Sequence, residues 1–489
     1  MARSGVAVRI IDKIAEPGTT SRALAVQART LEFYRQLDLA DEVVALGLKF
    51  AAVNLWTRGK RAGRVEFGDI GVGLSPFPYL LIFPQDEHER FLIEHLIRVG
   101  VTVERPSELV ALEQNGDGVQ ARIRRGNGVE EVCGARYAVG CDGAKSLVRD
   151  ALELSFPGGT YQQRFYVADA RVGGPVANHE LHVALDDADF LAVFPLKGDR
   201  DVRLIGTVQT GLGQSPGALT WNDVSRHAMQ RMQITVDRLD WFSTYHVHHR
   251  VAPHFRRGRV FLAGDAAHIH SPVGAQGMNT GIGDAVNLAW KLADVVRGGA
   301  DASLLDSYEA ERIAFARRLV ATTDRVFTFV TRNGPIARII RFRIVPALAP
   351  WLMNRTSVRR FMFRTVSQIR IHYRPGMLSE GHAGAVRGGD RVPWVRPEGN
   401  AAADNFTPLT SLRWQVHVYG TPSPGLAKAC DDRGLPLHVF SWQPSMHRVG
   451  LARNAGYLVR PDGHVAMAGV DAASIGRYLD IRGLQPRTG

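Results

Sequence analysis

The sequence predicts an α/β protein with several domains, and three local patterns lead to this prediction. Residues 6–12 (VAVRIID) are apolar, rich in β-branched side chains and closed by an acid, as in a buried parallel strand. A second strand pattern runs into an Asp-Gly turn at Asp142, and a third runs into a Gly-Asp pair at Asp265. A helix pattern follows each of the last two. Strands that alternate with helices indicate a parallel sheet with helices on its faces.

The bulk composition excludes several classes of protein. The chain has 489 residues, 45% hydrophobic and 22% charged, which is typical of a globular protein with about two or three domains. The net charge of +12 is spread thinly, so no nucleic-acid partner is expected. No apolar run reaches the roughly 20 residues of a spanning helix, so no stable membrane insertion is expected. Three cysteines without a CxxC pair or metal-ligand spacing predict a reducing, cytoplasmic location and no metal site.

The first strand pattern is typical of the second strand in a Rossmann-like dinucleotide-binding unit. In such a unit Asp12, at the end of the strand, binds the ribose hydroxyls of the adenosine. A first strand and a glycine-rich turn G-x-G-x-x-G normally precede it, but only MARSG does so here. Either the start codon is placed too late or the chain is a truncated product, and we expect the first because the downstream patterns look intact.

The Asp142 string, residues 137–149, reads as a short apolar strand, a tight turn at Gly143 and a helix capped by Ser146. An Asp-Gly turn alone is common and has little meaning. The complete string is much more specific.

The Asp265 string has the features of a cofactor site. Its strand carries Asp265 to the carboxyl edge of the sheet, where a carboxylate can accept hydrogen bonds from a polyol. Gly274 and Gly277 let the backbone approach a flat ligand without a Cβ. The helix predicted over residues 280–296 points its positive end at the same place, which suits a reduced, anionic flavin. His268 is expected to be a packed or capping side chain rather than an acid or base.

Together these strings resemble the FAD-dependent aromatic hydroxylases, flavoprotein monooxygenases of the phenol hydroxylase and hydroxyphenylpropionate hydroxylase type. The resemblance implies FAD contacts at the matching positions Asp12, Arg22, Gln85, Asp142, Gly143, Gly264, Asp265, Gly274, Gly277, Met278 and Asn279. Pro272 matches a residue at the reacting edge of the flavin and is the one catalytic candidate, with a simple turn residue as the alternative. Lys145 and Ala275 depart mildly from the family pattern, and the absent glycine-rich turn departs strongly.

The resemblance also implies a reaction. NADPH or NADH reduces FAD, O₂ adds to give a flavin hydroperoxide, and its distal oxygen passes to a small aromatic substrate, phenolic or polyketide-like. Two alternatives stay open: a non-hydroxylating flavin oxidoreductase on the same scaffold, because pocket residues rather than the fold decide the reaction, and a truncated remnant without cofactor. The sequence identifies no catalytic base and does not distinguish NADPH from NADH.

The predicted domains follow the order of these patterns. They are the first part of the FAD domain (1–154), a β-rich substrate domain (155–255), the second part of the FAD domain (256–325), a helical layer (326–378) and, by resemblance, a thioredoxin-like C-terminal domain (379–489). Trp56, Phe190, Phe194 and Trp241 are candidates to line a pocket for a flat ring, although single aromatic residues more often belong to the core. Within this domain the sequence predicts a strand–helix–strand segment around Lys428 and a hairpin on residues 461–463. The domain lacks CxxC, so docking, as in a homodimer, is favoured over a redox role.

Overall fold

The computed structural model describes residues 1–19, 23–49, 51–68, 70–185, 190–208, 219–271, 274–331, 348, 351–352, 355–396 and 403–486. These residues form a mixed α/β fold, as predicted, with six sheets among the described strands. None of the helices in these ranges is long and apolar enough to cross a membrane.

Two parallel strand pairs contain the strands that precede Asp12, Asp142 and Asp265. Ile10–Ile11 pairs with Val103–Glu104. Ala138–Gly140 pairs with Val260–Leu262, which also pairs antiparallel with Arg256–Arg257. These pairs are the parallel component that the alternating strand and helix patterns predict.

The first predicted strand is parallel as expected, but it is shorter and less buried than predicted. Within residues 6–12 only Ile10–Ile11 pairs as a strand, and Val8 is 36% exposed. The reason is that, within the described chain, this strand has a hydrogen-bonded neighbour on one side only. A strand with one neighbour buries less of its surface than a strand in the middle of a sheet.

The largest sheet has eight strands. Their spatial order is His268–Ile269, Thr235–Val251, Gly158–Gly173, Asp201–Val208, Phe190–Pro195, Leu181–Leu185, Ala52–Thr57 and Lys60–Glu66. Its neighbours are antiparallel except for Leu181–Leu185 and Ala52–Thr57, which are parallel. Three of these strands, Ala52–Thr57, Lys60–Glu66 and His268–Ile269, come from outside the predicted substrate domain (155–255). The last of them, an edge strand, leads directly into the predicted cofactor loop.

Both faces of this sheet are covered. On one face Tyr166, Leu191 and Leu204 pack with Met229 of a short helix into an apolar core. On the opposite face Phe194 packs against residues from other parts of the chain. Because side chains alternate along a strand, neighbouring residues of one strand serve different cores.

Two smaller sheets complete the first half of the fold. One contains Ala25–Val26, Leu81–Ile82 and Leu48–Lys49, and the other contains Glu130–Ala135, Val119–Arg125 and Ser107–Gln114. The described helices are Ala28–Gln36, Ala40–Leu46, Gln85–Arg98, Leu147–Ala151, His227–Arg231, Gly277–Val296, Asp306–Thr331, Thr356–Val366, Leu426–Asp431, Pro444–Arg448 and Ala472–Ile481. The helix predicted over residues 280–296 thus begins three residues earlier.

The C-terminal unit is a six-stranded mixed sheet with helices beside it. Its spatial order is Val386–Arg387, Glu380–Ala383, Val465–Val470, Ala455–Val459, Gln415–Tyr419 and Leu437–Phe440. The predicted hairpin on residues 461–463 is confirmed, because the two strands that flank it pair antiparallel. The predicted strand–helix–strand segment is also confirmed, since its strands pair in parallel across the helix Leu426–Asp431.

Buried ion pairs join this C-terminal unit to the two long helices. Arg460, beside the hairpin turn, donates to the two oxygens of Glu311 at 2.6 and 3.0 Å and to Asp462 at 2.6 Å. Lys291 also donates to Glu311, at 2.8 Å. None of these four side chains is more than 3% exposed. Because an unpaired buried charge is very unfavourable, these contacts fix the unit against the helices.

The ion pairs continue to the helix Ala28–Gln36. Arg29 donates to the backbone carbonyl of Asp462 at 2.7 Å and to Glu32 at 3.0 Å. Arg391 of the C-terminal unit donates to the same Glu32 carboxylate at 2.5 and 2.7 Å. We call the connected side chains the ionic core: Arg29, Glu32, Lys291, Glu311, Arg391, Arg460 and Asp462.

Candidate cofactor and substrate site

The two strings that the sequence singles out meet at one edge of a parallel strand pair. Ala138–Gly140 and Val260–Leu262 pair in parallel over their whole length. The N–H of Ala263 then donates to the last carbonyl of the first strand at 3.0 Å. The chain leaves both strands in the same direction, so the turns with Asp142 and Asp265 lie at the same carboxyl edge. Open α/β sheets bind ligands at such an edge.

Asp142 organises the turn and helix that follow it. Its carboxylate accepts from the Ser146 hydroxyl at 2.5 Å and from the Val148 N–H at 3.0 Å. Ser146 caps the helix, as predicted, by accepting from the N–H of Arg149 at 2.9 Å. Gly143 follows with a positive φ of 78° and open space where a Cβ would be. Both carboxylate oxygens of Asp142 therefore already have partners, and its contact with a cofactor stays a prediction.

Arg149 ties the first string to the second. Its side chain donates to the Ala266 carbonyl at 3.1 Å and to the Ala144 carbonyl at 3.0 Å. The guanidinium also lies 4.0 Å from the centre of the Phe156 ring. Because Ala266 directly follows Asp265, Arg149 fixes the distance between the two turns.

Asp284, on the long helix, holds the Gly-Asp turn in place. Its carboxylate accepts from the N–H of Gly264 at 3.0 Å and from Arg312 at 2.6 Å, and it contacts Nε2 of His268 at 2.8 Å. Gly264 has a φ of 60°, a conformation that favours glycine. Asp265 comes next and is exposed. The buried carboxylate of Asp284 therefore holds the turn that places the exposed side chain of Asp265 at the edge of the sheet.

The charge state of Asp284 is fixed by its neighbours. Burial alone would raise its pKa, but the positive charge of Arg312 and the contact with His268 lower the pKa to about 2. His268 is 2% exposed and stacks on Phe255 with 5.7 Å between ring centres. The interpretation of His268 as a packed side chain is therefore confirmed.

Asn279 joins the start of the long helix to a neighbouring strand and helix. Its Oδ1 accepts from the N–H of Gln27 at 2.9 Å and from the Thr30 hydroxyl at 2.7 Å. Its Nδ2 donates to the carbonyls of Ala25 at 2.8 Å and Ala275 at 3.1 Å. An asparagine amide has two donors and two acceptor sites, so the side chain is fully used. Any cofactor contact at this position is left to its backbone.

The loop before the long helix combines open backbone with unpaired polar atoms. Gly274 has a φ of 79°, and Gly277 is the first residue of the helix. Around this loop, buried polar atoms without a partner among the described residues belong to Gln27 (Oε1), His268 (Nδ1), His270 (Nε2) and Ser271 (Oγ). Gln27 also donates to the Gly274 carbonyl at 3.4 Å. Buried polar atoms are normally paired, so their accumulation around one loop fits a flat ligand with polar edges.

The remaining candidates lie around this centre. Asp12, at the end of its strand, accepts from the N–H of Ile14 at 2.9 Å and pairs with Arg105 at 2.9 Å. Gln85 is the first residue of a helix, and its Oε1 accepts from the N–H of Ala23 at 3.3 Å. Met278 packs partly buried against the apolar core of the first helices. Arg22 and Pro272 lie outside the described residues.

Three of the four aromatic pocket candidates share one face of the eight-stranded sheet. A row of aligned side chains crosses four neighbouring strands on this face: Trp241, Asp169, Arg203 and Phe194. Phe190, four residues before Phe194, lies on the same face. All three aromatic rings are partly exposed. Arg203 and Asp169 form a two-pronged ion pair at 2.6 Å between them.

This face meets the cofactor loop. Phe194 and Ala275 of the loop pack against the same apolar cluster, which contains Leu24, Ala25 and Ile82. For Trp56 the structure supports the core alternative, because its ring lies in the core on the opposite face and its Nε1 donates to Nδ1 of His182 at 2.9 Å. The aromatic residues on the face beside the loop are therefore Phe190, Phe194 and Trp241.

Sequence reasoning missed Asp284, and it did not single out Arg149 from the Asp142 string or Gln27 from the segment near Arg22. A weak signal existed for Asp284, because an acid on the apolar side of a long helix requires a buried partner. Arg149 and Gln27 carry no such signal, since their partners come from distant parts of the chain.

Comparison with known proteins agrees with this geometry. A family model described as FAD binding domain matches residues 1–323. The chain is 35% identical to 6-methylpretetramide 4-monooxygenase of Streptomyces rimosus, over 96% of this chain and 87% of that protein. It is 29% identical to pentachlorophenol 4-monooxygenase of Sphingobium chlorophenolicum, over 80% of this chain and 72% of that protein.

Solved structures give the same result. The fold matches OxyS anhydrotetracycline hydroxylase from Streptomyces rimosus with a TM-score of 0.76 and 27% identity, over 98% of this chain and 95% of that one. It matches CabE, an aromatic hydroxylase from angucycline biosynthesis, with a TM-score of 0.75 and 28% identity, over 99% and 96% of the two chains. The chain therefore belongs to the FAD-binding domain family and is an FAD-dependent monooxygenase of the aromatic hydroxylase type.

Proposed function

We propose that this enzyme hydroxylates a polycyclic phenol of polyketide type. The observation that carries the proposal is the row of partly exposed aromatic side chains on the sheet face that meets the cofactor loop. Aromatic faces favour flat aromatic ligands by stacking and by burial of apolar area. The relatives named for 6-methylpretetramide and anhydrotetracycline support a substrate with several rings.

Bound FAD supplies the redox chemistry that activates O₂ with electrons from NAD(P)H. In this proposal Asp265 accepts hydrogen bonds from the polyol chain of the cofactor, and the loop from Gly274 to Gly277 offers its backbone to the ring. The first turn of the helix Gly277–Val296 favours negative charge on the ring by about 0.3–1 kcal/mol. The other proposed contacts are Asp12, Arg22, Gln85, Asp142, Gly143, Gly264, Met278 and Asn279, with Pro272 at the flavin edge.

The protein contributes orientation and exclusion of water. Phe190, Phe194 and Trp241 hold a flat ring beside the loop, and the Arg203–Asp169 pair offers polar atoms in the same row. Holding the reacting groups together in a dry site lowers the entropic part of the barrier. The side chains named in this proposal would bind and orient the substrate and the cofactor.

The test is NAD(P)H-dependent O₂ uptake by the full chain with FAD, with product analysis by mass spectrometry. We expect 2-hydroxyanthraquinone to stimulate uptake and to gain one oxygen atom, and phenol to be a much poorer substrate. Uptake without an oxygenated product from either compound would contradict the proposal and favour a non-hydroxylating oxidoreductase.

Two matched variants locate the substrate face. Phe194→Ala removes a ring from the aromatic row, and we expect its KM to rise by at least about 10-fold, as for loss of roughly 1.4 kcal/mol or more of binding energy. Phe242→Ala removes a ring from the core on the opposite face. It should change stability and leave KM close to that of the wild type. Equal effects on KM would contradict the assignment of the face.

The finer features of the fold remain part of the proposal. We infer that the C-terminal unit is thioredoxin-like, supported by its mixed sheet and the helices beside it. The Rossmann-like character of the first unit is supported by the parallel pair that ends near Asp12.

A further inference from the structure

His270 occupies the junction between the substrate sheet and the cofactor loop. It directly follows the strand His268–Ile269, which forms the edge of the eight-stranded sheet. It precedes Gly274 and the start of the long helix by a few residues. Its Nε2 atom lies 3.9 Å from the position that a Cβ on Gly277 would take. The imidazole therefore faces the first turn of that helix from the side of the sheet.

The hydrogen bond at the other ring nitrogen fixes the tautomer. Nδ1 of His270 lies 2.8 Å from the carbonyl oxygen of Ser271. A carbonyl only accepts, so Nδ1 carries the proton and donates it. Burial lowers the pKa of His270 to about 4, so the ring is neutral at pH 7. Nε2 then presents a lone pair and acts only as an acceptor.

That acceptor has no donor within the described part of the chain. Nε2 of His270 is buried and unpaired there, and so is the hydroxyl oxygen of the adjacent Ser271, a residue that is 1% exposed. Nε2 of His268, two residues earlier on the same side of the chain, does have a partner, because it contacts Asp284. A buried acceptor without a donor is energetically unfavourable. Because Nε2 of His270 lies beside the predicted cofactor loop, its unpaired state indicates that a bound ligand supplies the donor.

We propose that His270 is the substrate-binding residue that accepts a hydrogen bond from the phenolic hydroxyl. This inference rests on the proposed function, because it requires a phenol on the sheet side of the loop. Accepting that hydrogen bond draws electron density from the O–H bond toward the ring. An electron-rich ring reacts better with an electrophilic oxygen, so the contact orients the substrate and prepares it for hydroxylation.

The experiment compares two probes that differ by one hydroxyl group. The FAD-loaded full chain is titrated with 2-hydroxyanthraquinone and with anthraquinone, and binding is followed by the visible spectrum. We expect the wild type to bind the hydroxylated probe roughly 5- to 10-fold more tightly, which corresponds to one hydrogen bond. His270→Phe should bind the two probes equally. His270→Gln, which keeps an acceptor, should recover most of the preference.

The controls separate binding from folding and cofactor effects. FAD affinity, measured by quenching of flavin fluorescence, should be unchanged in both variants. His254→Gln, at an exposed histidine beside Glu309, should behave like the wild type. If His270→Phe does not fold, His270→Val, whose side chain is smaller than histidine and lacks an acceptor, replaces it.

The outcomes are distinct. Equal binding of the two probes by the wild type would overturn the role of His270 while leaving the proposed function intact. A preference that survives in His270→Phe would overturn it as well. Loss of FAD affinity with an unchanged preference would assign the acceptor to the cofactor and not to the substrate. If the wild type binds neither probe, the proposed function itself fails, and this inference fails with it.

Discussion

Replacing Asp284 with Asn tests whether its charge maintains the cofactor edge. The carboxylate is buried and serves Gly264, His268 and Arg312 at once. Asn has the same shape but offers a single acceptor oxygen and an NH₂ group, which would face other donors. The change therefore removes charge and acceptor capacity while leaving volume unchanged.

The expected magnitude follows from the burial of the partner. Arg312 is 1% exposed and would lose the carboxylate to which it is paired. Breaking a buried ion pair by removing one partner costs about 3–5 kcal/mol of stability. Loss of the hydrogen bond to the Gly264 N–H loosens the turn that carries Asp265. A hydrogen bond to a charged group contributes about 1.5–3 kcal/mol, so the Kd for FAD should rise by roughly 10- to 100-fold.

The same helix provides a matched control. Asp294 accepts a hydrogen bond from Trp414 at 3.0 Å, and burial raises its pKa to about 6. An amide oxygen can still accept from Trp414, and no buried charge is left without its partner. Asp294→Asn should therefore leave the stability equal or higher and the FAD affinity unchanged.

Urea denaturation and FAD titration at pH 8 measure the two consequences separately. We expect Asp284→Asn to lose much of both its stability and its FAD affinity, and Asp294→Asn to lose neither. Equal destabilisation by the two variants would refute it, because burial alone, and not the charged partner, would then decide the effect. Destabilisation by Asp284→Asn with unchanged FAD affinity would refute the link between this carboxylate and the cofactor edge.

Three further predictions follow from the same geometry. The folded-state pKa of Asp294, about 6, lies above its ordinary value of 3.8. The stability that comes from its protonated form is therefore complete below about pH 4 and is lost as pH rises to about 6. In urea denaturation the free energy of unfolding of Asp294→Asn should match that of the wild type near pH 4 and exceed it by up to about 3 kcal/mol at pH 8. Asn279→Ala leaves donors and acceptors of the two helix starts unpaired, so the free energy of unfolding should fall by about 3 kcal/mol, and a fall below about 1 kcal/mol would contradict the fully used amide. Asp265→Ala should weaken FAD binding in ultrafiltration assays, and unchanged affinity would remove Asp265 from the cofactor site.

The features predicted well from the sequence are those whose cause is local. The turn at Asp142 and the cap at Ser146 depend on residues a few positions apart. The C-terminal hairpin likewise follows from its own turn residues. Strand and helix patterns of this kind report backbone preference and burial within a short window.

Contacts between residues that are far apart in the sequence could not be predicted from such local patterns. Asp284 and Arg312 belong to different helices, and Arg29 meets Asp462 across 433 positions of sequence. Trp56 illustrates a second limit, because both faces of its sheet are covered by apolar residues. In that situation hydrophobicity does not distinguish the two faces, and only the strand register determines which one a ring joins.

The ionic core has a consequence for how the molecule comes apart. Apolar surfaces tolerate small sliding movements, whereas two-pronged ion pairs such as Arg460–Glu311 and Arg391–Glu32 hold one arrangement only. Lifting the C-terminal unit away would remove Arg460 from Glu311 and Arg391 from Glu32, and it would leave each carboxylate with one cationic partner, Lys291 or Arg29. We therefore expect the C-terminal quarter of the chain to unfold together with these helices rather than as a separate domain.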